Sequence, residues 1–544
     1  METLNTIGGG LTKTMQVVNL IKRNLFRDSI QLMRLTEDVK KLEGVDDAVV
    51  SMGTDTNRRL LQDLGLLGGE SKGAGDGDLI IAVRVREGYD GGKVMQSVER
   101  LVMAPPVSSG GTRAVVLHSI GSALERLQGA NLAIVSVPGR QAYEPSMELL
   151  RNGVNVHLFS DHVPLEQELK LKKFASSKGL LVMGPGAGTS ILNGVGLGFA
   201  NSVRKGDVGI VASAGTGIQE VSIMLDRIGL GVSAALGVGG TDVSERVGGL
   251  MMKDCLGLLE KDEGTRMLMI IAKTPKEKVI RDIMEHVDGE TSKPVVACFL
   301  GLDPPPAKGA RVTYAKTLHS AVRKAAEFSG GKALSNFEKN IAVSFEDLSS
   351  NSREIARRVG PSRRLLRGLF SGGTLAHETL LIFKELMGEA YSNTPLSEAF
   401  ALEDPNVSRG NCVVDLGDES FTSGRAHPMI DPTLRKLRIG QESKVPDVAA
   451  ILLDIVLGYG SSPEPGGALQ KAISVATREG MAVMAHVVGT ETDPQSYKEQ
   501  SRKLTDAGSV LYSSNALLSA GAALVVGGQA ASDRLKSKWG DLLG

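Results

Sequence analysis

Two stretches decide the fold: GIVASAGTGIQE at 209–220 and GLFSGGTLAHE at 368–378. Each is an apolar run, then Ser-x-Gly-Thr-x-x-x-Glu, then an apolar helical pattern. A short apolar strand feeding a glycine turn and a helix is the repeating unit of a parallel sheet. The likeness continues downstream in the same order. LGVGGTDVSERVGGLMMKDCL answers LGDESFTSGRAHPMIDPTL, MLMIIAK answers AILLDIVLG, and PVVACFLG answers MAVMAHVVG. One short match arises by accident, but four landmarks in one order point to a duplicated domain. The two copies are expected over 205–345 and 365–530, each flavodoxin-like, joined by a polar linker around Ser349–Ser362.

Upstream, residues 131–200 alternate apolar strands with helical patterns: NLAIVSVPG, QAYEPSMELLRNG, VNVHLFSD, PLEQELKLKKFASSKG, LLVMGPGAG. That alternation predicts a doubly wound, Rossmann-like domain over 115–204. Residues 16–104 read as short β/α units, a small α/β domain with a ferredoxin-like arrangement as the candidate, and Pro105–Thr112 reads as a linker. The fold class is therefore α/β: a small N-terminal domain, a Rossmann-like domain, then two tandem flavodoxin-like domains. At 544 residues the chain has room for about three or four domains.

Composition narrows the partners. The 62 basic and 62 acidic residues cancel, and no Lys/Arg block occurs, which removes the phosphate-backbone attraction behind nucleic-acid binding. Cys255, Cys298 and Cys412 stand far apart with no metal-ligand spacing, so neither a metal site nor a disulfide framework is expected. Met1–Leu20 has no basic-then-apolar leader pattern. Ser513–Ala531 is uncharged but rich in Gly, Ala and Ser, and reads as strand and helix, not as a membrane span. A cytoplasmic protein that handles a small anion or another protein is the expectation.

The turns carry the chemistry. Unpaired N–H groups and the helix dipole converge where a glycine turn enters a helix, which suits an anion. The candidate phosphate-binding residues are Ser213, Gly215 and Thr216 in the first copy and Ser371, Gly373 and Thr374 in the second. The alternative is that these are ordinary helix-capping residues. Glu220 and Glu378 fall four residues after the threonines, where each is either a solvated carboxylate favoured by the dipole or a general base beside the anion. SGRAHPMIDPT, 423–433, adds Arg425 as an oxyanion fork, His427 as an acid–base group, and Asp431 to hold its tautomer, with a surface or capping role as the alternative. His118, His286 and His486 form no evident constellation. There is no GxxxxGK[ST] loop and no GxGxxG fingerprint.

Residues 131–330 resemble the α chain of succinyl-CoA synthetase through VPGRQAYEPSMELLRNGVNVHLFSD, KGLLVMGPGAGTSI, GIVASAGTGIQEV and GVGGTDV, and 410–515 resemble the ligase domain of its β chain. The single-chain fusion, with SGGTLAHE, GRAHPMIDPTLR and GTETDPQ in its second half, resembles the FdrA family across nearly the whole chain. The resemblance makes 115–204 a CoA-binding-type domain and CoA a candidate cofactor. The departures are as telling. ARVTYAKTL (310–318) stands where the synthetase has its Gly-His-Ala-Gly phosphohistidine loop, His319 lies just beyond it, and the ATP-grasp half is missing. The resemblance implies a transferase subunit of oxamate carbamoyltransferase type, acting on carbamoyl phosphate or another acyl phosphate in allantoin breakdown, as an oligomer with partner subunits from the same operon. An NDP-forming acyl-CoA synthetase and a non-catalytic anion-binding scaffold are the alternatives.

Overall fold

The computed structural model describes residues 16–25, 27, 29–103, 117, 119–303 and 311–543. The expected linker Pro105–Thr112 lies outside them. The chain forms two compact units: 1–115 with 419–427, and 116–418 with 428–544.

In the first unit, β1 (Val17–Lys22), β2 (Val45–Met52) and β3 (Leu79–Val85) form an antiparallel sheet in the order β1-β3-β2. Strand alternation sends Leu79, Ile81, Val83 and Val85 to one core and Ile80 and Ala82 to another, so the central strand is apolar on both faces. The helix Gly91–Met103 covers the first face with Val94, Val98 and Val102, spaced every fourth residue. The helix Asp55–Asp63 was not foreseen in the sequence; Thr54 caps it by accepting from Asn57 N, and Leu60 and Leu61 are buried.

The second unit opens with β4 (Leu132–Val135), β5 (Asn155–Leu158) and β6 (Val182–Met183), parallel and in that order. GTSILNGVGLG then folds into the hairpin β7 (Thr189–Leu192) and β8 (Val195–Gly198), whose β7 extends the next sheet. That sheet contains β9 (Lys205–Ala212), β10 (Val232–Gly237), β11 (Met267–Lys273), β12 (Val295–Leu300) and β13 (Val312–Ala315). A separate sheet holds β14 (Leu365–Phe370), β15 (Cys412–Asp415), β16 (Val448–Val456), β17 (Ala482–Val488) and β18 (Ser509–Tyr512). Its order, β15-β14-β16-β17-β18, repeats β10-β9-β11-β12-β13 strand for strand, all parallel. Counted within each copy this is 2-1-3-4-5, the flavodoxin-like order.

Four helices matter below: α1 (Gly215–Ile228), α2 (Leu318–Ser329), α3 (Gly373–Leu386) and α4 (Asn515–Leu542), the last interrupted at Gly528, φ 55°. Ile218, Val221 and Leu225 of α1, Leu375, Leu380 and Phe383 of α3, and Leu517 and Leu524 of α4 share one apolar core. Among the described residues no helix is long and apolar enough to cross a membrane. The stretch around Ser349–Ser362, read from its polar composition as a linker, is mostly the helix Phe345–Val359. Leu348, Ser352, Ile355 and Val359 form its buried stripe at helical spacing, which the charged residues between them disguise.

Candidate functional site

Ser213 and Ser371 directly follow β9 and β14 at the carboxyl edges of their sheets, and α1 and α3 start two residues later. The two helix N-termini meet: Thr374 N donates to Thr216 Oγ1 at 3.2 Å. The approach depends on missing side chains. A methyl group at Gly372 would lie 2.7 Å from Thr216 Cγ2, and one at Gly373 would collide with Asp415 Oδ2 and meet Lys273 Nζ at 3.3 Å. Gly215, Thr216 and Gly217 N–H have no acceptor among the described residues.

The two turns differ in what fills them. Asp454 continues the β14–β16 register two residues beyond Gly368–Leu452, the place that Ile271 holds opposite Ala212 in the first copy. Its carboxylate accepts from Ser371 N at 2.8 Å, Gly372 N at 2.7 Å and Ser371 Oγ at 3.1 Å, and Arg435 holds it from behind. Ser371 is thus committed to an internal anion, a correction to its expected phosphate contact. Ile271 offers only its carbonyl, to Ser213 N at 3.0 Å, and Ser213 Oγ is buried with no partner among the described residues. A buried hydroxyl without a partner is costly unless a ligand supplies one.

Glu220 and Glu378 are not in a solvated first turn. Both are buried, and each reaches the start of a helix in the other copy. Glu220 Oε1 accepts from Asn515 N at 3.1 Å, at the start of α4, and Glu378 Oε1 accepts from Leu318 N at 2.7 Å, at the start of α2. The opposing strands make them unequal. Ile271 pairs with Cys298 and Asp454 with His486, so Cys298 and His486 occupy equivalent places. Glu220 Oε2 lies 2.7 Å from His486 Nε2, and this imidazole holds its carboxyl below the ordinary range against the larger opposing effect of burial. Glu378 faces a thiol instead, and burial pushes it up to about 7. His486, which the sequence left without a role, is therefore a partner of Glu220.

A raised carboxyl makes stability depend on pH. The contribution of Glu378 is fully present below its ordinary 4.5 and is lost as pH rises toward 7. Glu378→Gln, which imitates the protonated acid, is expected to leave unfolding free energy nearly unchanged below pH 4.5. At pH 8 it should raise it by as much as about 3 kcal/mol, read from urea denaturation at both pH values.

Three groups near the meeting point were not singled out from the sequence. Lys273 ends β11, Asp415 ends β15, and His377 follows on α3. Burial pushes Asp415 up to about 6, with Lys273 acting against it. His377 is held down at about 4, first by burial and then by Lys273, and its Nε2 is buried without a partner. The signal for all three was present, a polar residue at the carboxyl end of an apolar strand or one turn into a site helix, but it becomes specific only once the two copies are docked.

Arg425 and His427 belong to the first unit. Gly424 O accepts from Met52 N at 3.1 Å and Asn57 Nδ2 at 2.9 Å, which ties their loop to β2. Asp431 Oδ1 caps the helix Thr433–Glu442 by accepting from Thr433 N at 3.0 Å. His319 is buried, with Nδ1 2.9 Å from Ser514 Oγ, and ARVTYAKTL supplies β13 and the Thr317 cap of α2.

Residues 369–525 match a family model described as CoA-ligase, and residues 15–116 one described as the heavy metal-associated domain of AllF. The uncharacterized protein YahF of Escherichia coli K12 is 40% identical over 92% of this chain and 97% of its own length. The α subunit of ADP-forming succinate–CoA ligase from Methanothermobacter thermautotrophicus is 29% identical over 40% of this chain and 74% of its own. The ATP citrate lyase of Methanothrix soehngenii overlays 78% of this chain and 86% of its own, at 13% identity and a TM-score of 0.31. Residues 15–116 contain neither cysteine nor histidine, so they offer no thiolate or imidazole donor to a metal. The glycine turns after β4 and β6 pack on this chain's own backbone, Gly139 against Asp161–His162 and Gly184 against Leu158.

Proposed function

This chain belongs to the same family as YahF, CoA-ligase-like proteins with an AllF-type N-terminal domain, and on that premise we propose that it is the acyl-phosphate-binding subunit of a carbamoyl-transferring enzyme. The observation that carries the reading is the meeting of α1 and α3 at Thr216 and Thr374, with the Ser213 hydroxyl buried and unpaired beside it. Carbamoyl phosphate is an acyl phosphate, and its charge gathers on phosphate oxygens as the carbonyl carbon–oxygen bond breaks. The fixed N–H groups at the start of α1 stabilise that charge without reorganising, and the dipole of α3 adds to them. The acceptor, with oxamate as the proposed substrate, attacks through its amide nitrogen, gives up a proton and leaves inorganic phosphate. No phosphoryl relay is needed, in keeping with a buried His319 and the absence of a Gly-His-Ala-Gly loop. The protein works in the cytoplasm, as an oligomer with partner subunits encoded beside it.

The test is coexpression with the neighbouring gene products and assay of phosphate release from carbamoyl phosphate. Release that depends on oxamate supports the reading. CoA-dependent ADP formation from ATP and a carboxylic acid would replace it with the second reading, an NDP-forming acyl-CoA synthetase, which the CoA-ligase match over 369–525 favours. Ser213→Ala adds a sharper expectation. Its hydroxyl bonds to nothing among the described residues, so stability should not fall, while the KM for carbamoyl phosphate should rise about tenfold with the loss of one hydrogen bond to a charged group. An unchanged KM would count against Ser213 as a phosphate contact.

A further inference from the structure

Three positive features converge at the meeting point: the N-terminus of α1, the N-terminus of α3, and the Lys273 ammonium beside Gly373. Two helix ends and a lysine repel one another unless an anion lies between them. Asp454 is not that anion, because Arg435, Ser371 and Gly372 occupy it. The one near enough is Asp415, whose Oδ2 and the Lys273 Nζ both crowd the position of a Gly373 side chain. Its Oδ1 accepts from Gly417 N at 2.9 Å, while its Oδ2 and the Lys273 ammonium approach the same Gly373 backbone. The unpaired, buried Ser213 hydroxyl at the first helix end independently marks the place of a ligand.

We propose that Asp415 is the internal counter-anion of the ligand-free site: a bound phosphate dianion takes over Lys273, and Asp415 is protonated as it does so. This makes Lys273 and Asp415 positioning residues for the acyl phosphate, and the inference rests on the acyl-phosphate reading of the site. The charged groups facing Asp415 are Lys273 from β11, Asp418 from the loop after β15, and Asp454 from β16. Burial already holds Asp415 near 6, and Lys273 opposes that rise. An incoming dianion cancels the lysine's help and adds repulsion, so the carboxyl moves above neutrality and gains a proton. Binding then weakens as pH rises above 6, about tenfold per unit, because each dianion bound requires one proton.

The test uses the full chain and sulfate, which stays dianionic throughout, so any proton exchanged belongs to the protein. Titration calorimetry at pH 7 in two buffers of different ionisation enthalpy should report uptake of close to one proton per sulfate. Asp415→Asn should abolish the uptake and bind sulfate about tenfold more tightly at pH 7, with affinity no longer dependent on pH. Lys273→Met should weaken binding more than tenfold, and Lys273→Arg should restore part of it. Sulfate binding with no proton uptake by the wild-type chain overturns the proposal and leaves the anion site standing; it requires no variant to fold. Failure of the wild-type chain to bind either sulfate or inorganic phosphate overturns both this proposal and the acyl-phosphate reading.

Discussion

His486→Leu is expected to destabilise the protein by about 3–5 kcal/mol, the largest stability loss of any single substitution considered for this chain. Both ring nitrogens of His486 face acceptors, Glu220 Oε2 at 2.7 Å and Tyr512 O at 2.9 Å, so the ring bridges the buried carboxylate to β18. Leucine removes that partner and leaves the Glu220 carboxylate buried, with Asn515 N and the more distant Arg227 as its remaining support. The loss comes from the orphaned carboxylate, not from the missing ring. Adding Glu220→Gln to His486→Leu should therefore restore much of the stability, and a double-mutant cycle in urea would read the difference. Additive losses would show that the two side chains do not act as a pair.

Gly373→Ala is expected to have the largest effect on catalysis, lowering kcat/KM for carbamoyl phosphate by about 10²-fold while the protein stays folded. Helix interiors tolerate alanine better than glycine, so the backbone does not resist the change. The added methyl instead lands on Asp415 Oδ2 and against Lys273 Nζ. Both must move, and the charge arrangement at the start of α3 moves with them. Steady-state kinetics beside a melting curve separates this from general damage. Wild-type kinetics would mean that phosphate binds elsewhere.

The parallel α/β class was legible in the sequence because each copy repeats the same apolar runs at the same spacing, and periodicity is a local property. The meeting of the two turns was not, since Thr374 N and Thr216 Oγ1 lie 158 residues apart. Ser213 and Ser371 look identical as text, yet the residue that separates their roles is Ile271 in one copy and Asp454 in the other, each on a strand further along the chain. Glu220 and Glu378 misled for a related reason. Four residues into a helix is compatible with a solvated face or a buried one, and only the docking of the copies turns both inward. The helix Phe345–Val359 was hidden because charged residues outnumber its buried stripe.

The crossed reach of Glu220 and Glu378 also bears on how this chain diverged. In a dimer of identical subunits every contact across the axis occurs twice, so a residue there must suit both sides at once. Joining two copies in one polypeptide lifts that requirement. A histidine opposite one glutamate and a cysteine opposite the other, an internal carboxylate in one turn and an isoleucine in its counterpart, are differences that no symmetric pair of identical chains could hold. Tandem fusion gave each copy its own inheritance: one half became scaffold at the place where the other stayed open.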